Sequence, residues 1–159
     1  MVALIQVGVD DARLDRLLQL YMHEWSALVA TPIDADARFH YPHLPSYVDR
    51  VRHGAYLIVD GAVPVGCALV AQDDAGAWHV EEFFVIAGAR RRGAGADAAR
   101  RVFATHAGPW TWTVRPENPG ALAFWRRVAP GAVETVEVGA DAIARTRMAW
   151  TAREPAGAP

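Results

Sequence analysis

The sequence predicts a single α/β domain, and three observations carry that reading. Segments that alternate apolar and polar residues interleave with segments whose apolar residues recur at helical spacing. The 159 residues, 52% of them apolar, suffice for one well-buried core and fall short of two ordinary domains. An apolar, aromatic run ending at Ile86 also passes through a glycine- and arginine-rich turn straight into an alanine-rich helical stretch. The domain is expected to span residues 1–152, with 153–159 a frayed tail that has nothing to bury.

Taken in order, residues 2–9 read as a first strand. Asp10 is placed to cap a helix reaching about Leu28, in which Leu14, Leu17, Leu18, Tyr21, Met22 and Trp25 recur at helical spacing. From Ala30 to Tyr47, Pro32, Pro42 and Pro45 exclude one regular helix, and a short helix is expected from about Ser46 to Arg52. Residues 55–71 read as a hairpin around an Asp60-Gly61 turn. A strand from about Ala77 to Ile86 leads into a helix from about Gly93 to His106. Residues 109–114 form a fifth strand, 119–128 a helix capped near Asn118, and two strands at about 132–138 and 143–151 follow. The expected total is seven strands and four helices.

Composition narrows the function classes. A net charge of -2 argues against a nucleic-acid surface, since phosphate-backbone binding shows as a basic domain or stripe. Arg90 to Arg92 form the only run of three basic residues, which suits one ligand pyrophosphate better than a polymer. A lone Cys67, set among small apolar residues, excludes an internal disulfide framework and reads as a core residue; a reducing cytoplasm is the expected compartment. Neither an export signal nor a membrane span is expected. His40 and His43 have no third ligand at recognisable spacing, so no metal site is expected.

Residues 78–100 carry the clearest functional signal. Backbone N–H groups at a helix start lack intrahelical partners and sit at the positive end of the helix dipole, so a phosphate placed there satisfies both. Gly93 and Gly95 let the backbone approach a ligand with no Cβ in the way, and Arg90, Arg91 and Arg92 add positive charge. A dinucleotide fingerprint or phosphate loop fits worse: no G-x-G-x-x-G follows an early strand, and the chain has no lysine.

The pattern Arg90-x-x-Gly93-x-Gly95 after a strand ending in Val85 resembles the coenzyme A pyrophosphate loop of the GCN5-related N-acetyltransferase (GNAT) superfamily. The element order is similar over essentially the whole chain. Asn118-Pro-Gly-Ala121-Leu-Ala-Phe124-Trp125 resembles the segment that opens the helix beside coenzyme A. Glu82 to Val85 and Phe124 to Arg126 are most similar to small bacterial predicted acetyltransferases. The resemblance implies a GNAT fold, with a central mixed, mostly antiparallel twisted sheet flanked by helices, and acetyl-CoA as co-substrate. It implies that Phe83, Phe84 and Val85, residues 90–96 (among them Ala94 and Ala96), and Asn118, Ala121, Phe124 and Trp125 hold the donor. The Val85 N–H is expected to face the thioester carbonyl.

Glu82 is favoured as general base, because relatives place theirs three residues before the pantetheine-facing valine and its apolar neighbours should raise its pKa. Glu81 and His79 remain alternatives. Relatives that use a tyrosine to protonate the thiolate carry it where this chain has Trp125, and indole is no acid. Tyr21, a water, or unassisted departure are the alternatives. Residues 38–47 lie where relatives place an acceptor-site lid, and Glu24, Asp34 and Asp36 favour a cationic amine. The expected activity is acetyl transfer to a small-molecule amine by direct attack. A protein acceptor, a non-catalytic acyl-CoA sensor and a nucleotide-binding regulator are the rivals, and a homodimer is left open.

Overall fold

In the computed structural model, which describes residues 1–151, β1 spans Val2–Gln6, α1 Ala12–Ser26, β2 His53–Asp60, β3 Val63–Gln72 and β4 Trp78–Val85. They are followed by α2 (Ala94–Phe103), β5 (Pro109–Val114), α3 (Pro119–Val128), β6 (Val133–Val138) and β7 (Ala144–Thr151). The expected boundary at residue 152 and the tail 153–159 lie outside the described residues.

All seven expected strands are present and build one sheet in the order β1-β2-β3-β4-β5-β7-β6. Every neighbouring pair is antiparallel except β4 and β5. There are three α-helices among the described residues, not four. The segment expected as a helix over 46–52 is a 3-10 turn, Leu44–Val48, with Pro45 in its first turn and no side-chain cap. Asp11, not Asp10, caps α1, its carboxylate accepting the Arg13 backbone N–H at 2.8 Å.

Hydrophobic periodicity decides which face each helix covers. Leu14, Leu17 and Leu18 of α1 bury against Leu57, Leu69 and Phe84 on one face of the sheet, each contributing roughly 1.5–3 kcal/mol. On the other face Ala99, Val102 and Phe103 of α2 and Trp125 of α3 pack with Trp110, Trp112 and Val70.

Two irregularities of β4 shape the site. The β4–β5 ladder has only three pairs, Trp78↔Trp110, His79↔Thr111 and Val80↔Trp112. Beyond Val80 the strands part: β4 stays paired with β3 as far as Val85, and β5 stays paired with β7 as far as Val114. At Gly66 an added Cβ would lie 2.1 Å from the Phe84 carbonyl oxygen, so only glycine lets β3 follow β4 to its end. The register also slips by one residue, from Val70↔Val80 to Leu69↔Glu82, leaving Glu81 as an extra residue in a β-bulge.

Candidate active site

The bulge settles which glutamate faces which layer. Past it, Phe83 and Val85 turn towards α2 and α3, while Glu82 and Phe84 turn towards α1. Glu82 therefore meets the aromatic residues of α1 and of the irregular segment: the Tyr41 hydroxyl donates to its Oε1 at 3.0 Å, and Tyr21 lies close to the same carboxylate. Burial pushes the Glu82 pKa up to about 7. The neighbouring tyrosines, Tyr21 and Tyr41, oppose that rise, and the charge of Glu81 adds to it. Tyr21 and Tyr41 are themselves pushed upward, first by burial and then by the Glu82 charge, so both stay protonated as donors.

Glu82 lines a cavity of about 450 Å³, within the range of small-molecule sites. Tyr21 and Trp25 of α1, Tyr41 and the two flanking histidines, Glu81, Phe83, Trp112 to Arg115, Asn118, Trp125 and Arg145 contribute to its walls. The parting of β4 from β5 thus opens into this space. Of the alternative bases, Glu81 also lines the cavity but is exposed, whereas His79 does not line it. His79 sits in the paired part of β4, its Nδ1 2.8 Å from the Thr111 hydroxyl, with a pKa lowered mainly by burial.

Main-chain groups of β4 face the gap. The Ile86 N–H bonds back to the Val65 carbonyl at 2.9 Å. Donor directions alternate along a strand, so the N–H groups of Val85 and Phe83 point away from β3, towards the open side. The Val85 carbonyl is occupied, accepting from Arg90 Nε at 2.6 Å. Arg90 also pairs with Glu24 of α1 and lies over the Phe84 ring at 5.8 Å. Its guanidinium is thus turned back onto the strand end. Arg91 and Arg92 are exposed and form no ion pair among the described residues.

Helix α2 begins immediately after this turn. Gly93 has φ 83°, a left-handed conformation that an L side chain resists, and the space its Cβ would enter is open. Gly95, in the first turn of α2, faces α3. A Cβ there would lie 3.4 Å from the Phe124 ring, an ordinary contact. Asn118 caps α3 by accepting the Ala121 N–H at 3.1 Å. Trp125 is almost fully buried and reaches both walls of the gap, its ring centroid 5.3 Å from Phe83 on β4 and 5.0 Å from Trp112 on β5. Phe124 stacks on Phe83 at 5.7 Å. Cys67 is fully buried in the core, and burial lifts its pKa to about 12, as expected of a packing residue.

Comparison with known proteins decides the family. The family model described as "Acetyltransferase (GNAT) family" matches residues 14–129. The chain belongs to the GNAT family. It is an N-acetyltransferase of the acyl-CoA class, as the loop and helix motifs implied. Solved GNAT-type structures share its fold. An acetyltransferase from Thermus thermophilus is 21% identical with a TM-score of 0.69, over 96% of this chain and 97% of that chain. An acetyltransferase from Salmonella typhimurium, described as modifying the N-terminal serine of ribosomal protein L7/L12, is 13% identical with a TM-score of 0.71, over 96% and 100%. A GNAT family acetyltransferase from Elizabethkingia anophelis with acetyl-CoA bound is 9% identical with a TM-score of 0.64, over 95% and 98%. No match was found among the curated proteins.

Sequence reasoning did not single out three residues that line the cavity. Tyr41 lies in the expected lid segment, 38–47, but its bond to Glu82 spans 41 residues and nothing local announces it. Arg115 and Arg145 also line the cavity, whereas Glu24, Asp34 and Asp36, expected to give it acidity, do not. Glu24 is held by Arg90, and Asp34 accepts the backbone N–H groups of Asp36 and Arg38. Among the described residues no three or more His, Cys, Asp or Glu side chains gather as a metal site, and no helix is long and apolar enough to cross a membrane.

Proposed function

We propose that this chain transfers the acetyl group of acetyl-CoA to a primary amine of a small molecule by direct attack in a ternary complex, in the cytoplasm. The observation that carries the reading is Glu82, a carboxylate with a pKa near neutrality that accepts from Tyr41 and lies beside Tyr21, in a cavity that opens off the gap in the sheet. A base of that pKa accepts the proton of an incoming ammonium at physiological pH.

The residues present fit the donor. When bound, acetyl-CoA supplies an acetyl group activated as a thioester. The N–H groups at the start of α2, the left-handed Gly93 and the cations of Arg91 and Arg92 form a cradle for its pyrophosphate. The N–H groups of Phe83 and Val85 offer the edge of a strand to its extended arm. The Val85 N–H donates to an oxygen that gains charge, a contribution on the order of 10²-fold in acyl transfer. Phe124 and Trp125 supply packing from α3. Tyr21 and Tyr41, both held protonated, position Glu82 and are poor acids. The site thus offers a base without a matched acid, which suits a thiol leaving group whose ordinary pKa is about 8.5. The Salmonella enzyme's protein substrate carries no weight for the acceptor here, since the likeness at 13% identity is one of fold.

Calorimetry with acetyl-CoA, followed by a thiol-release assay over a panel of amines, tests the reading. Micromolar or tighter binding with amine-dependent thiol release is expected. Binding without release would point to an acyl-CoA sensor, and affinity for ATP or NAD without affinity for CoA to a nucleotide-binding regulator.

A further inference from the structure

We propose that Arg115 and Arg145 form an anion subsite in the acceptor cavity, so that the acceptor is a primary amine that also carries a carboxylate or phosphate. This rests on the acetyl-transfer reading above and names the substrate class.

The sheet brings the two arginines together. Val114, the last residue of β5, pairs with Thr146 of β7; Arg115 follows the first and Arg145 precedes the second. Both therefore sit at the wide end of the gap, on the wall across from the part of β4 that carries Glu82. Both line the cavity, with side chains only 17% and 18% exposed.

Their present partners satisfy them unequally. Arg145 is held firmly: its Nη1 donates to Asp141 Oδ1 at 2.9 Å and to the Ile143 carbonyl at 3.1 Å, and its Nη2 to Asp141 Oδ2. Arg115 has only long contacts, Nε to Glu117 at 3.4 Å and Nη1 to Asp141 at 3.6 Å. A guanidinium carries five donors, so most of those on Arg115 remain available to a ligand. Neither Glu117 nor Asp141 lines the cavity. Both arginines line the cavity, and the acids that pair with them do not.

The cavity is thus dipolar. Glu82 offers an acceptor for an ammonium at one wall, and a planar donor fork waits at the other. Carboxylate and phosphate are the groups that fork matches. A neutral or dicationic amine would leave the remaining donors of Arg115 unused.

The test uses the full chain and matched acceptors at saturating acetyl-CoA: α-amino acids against their carboxamides, and phosphoethanolamine against ethanolamine. At least a tenfold higher kcat/KM for the anionic member of a pair is expected, and whichever pair shows it identifies the anion. Arg115→Gln should shrink that preference to about twofold through KM for the anionic acceptor. Acetyl-CoA affinity is read alongside by calorimetry. Equal use of matched pairs by the wild type, a preference that survives in Arg115→Gln, or a loss of acetyl-CoA affinity in that variant would each overturn the subsite and leave acetyl transfer standing. Acetyl-CoA binding with no turnover of any amine would overturn acetyl transfer and the subsite with it.

Discussion

Replacing Tyr41 with phenylalanine isolates the interaction that tunes Glu82. The Tyr41 hydroxyl donates to Glu82 Oε1 at 3.0 Å and stabilises its charged form. A hydrogen bond to a charged group contributes about 1.5–3 kcal/mol, which corresponds to about one to two pKa units. Tyr21 still lies beside the same carboxylate in the variant, so the lower end applies. The Glu82 pKa, about 7 in the intact site, should then rise by about one unit. At pH 7 the ionised fraction falls from about a half to about a tenth, and kcat/KM should fall roughly fivefold, recovering by about pH 9. The assay is kcat/KM for one acceptor across pH 5.5–9.5 in both proteins. Protonation of the amine is common to both profiles, so the displacement between their ascending limbs reports Glu82 alone. A limb that stays in place, or moves to lower pH, would refute the reasoning.

Three further outcomes are expected. Because the folded-state pKa of Glu82 is raised from 4.5 to about 7, the native protein binds more protons than the unfolded chain between those values, and stability falls as pH rises through them. Glu82→Gln should relieve that cost, gaining up to roughly 2–3 kcal/mol relative to wild type between pH 5 and pH 8 in urea unfolding; equal differences at both pH values would contradict the burial of the charge. Gly93→Val forces an L side chain into a left-handed backbone at the start of α2, at about 1–2 kcal/mol, and should weaken acetyl-CoA binding at least about tenfold by calorimetry; unchanged affinity in the folded variant would remove the pyrophosphate from this turn. Trp125 bridges the two walls of the gap, so Trp125→Phe should keep most activity, while Trp125→Ala should lose about 3–5 kcal/mol of stability along with donor affinity; an inactive Trp125→Phe would mean that the indole N–H makes a specific contact.

The succession of strands and helices was legible because each element shows in its local pattern: the leucines of α1 recur at helical spacing, and β2 and β3 are short continuous apolar runs, buried almost throughout. The short helix after residue 44 was misjudged because proline and neighbouring loop contacts, not periodicity, govern a five-residue turn. In the site, the loop before α2 was readable, since a left-handed glycine and a helix start leave a glycine in the sequence. That Gly95 faces Phe124 was not, because it depends on how two helices dock. The bulge at Glu81 left no mark at all. A register slip is a property of two strands together, and it is what sends Glu82 towards Tyr21 and Tyr41. Arg115 and Arg145 were equally hidden, being neighbours only through the β5–β7 pairing.

The most direct test of Glu82 as the base is turnover by Glu82→Gln near pH 7, with acetyl-CoA affinity measured on the same preparation. Turnover should fall by roughly 10²-fold or more while affinity stays within about twofold, and part of the loss should return at high pH, where the amine is already neutral. Near-normal turnover in Glu82→Gln, with the loss appearing in Glu81→Gln instead, would contradict it and place the base on the bulge.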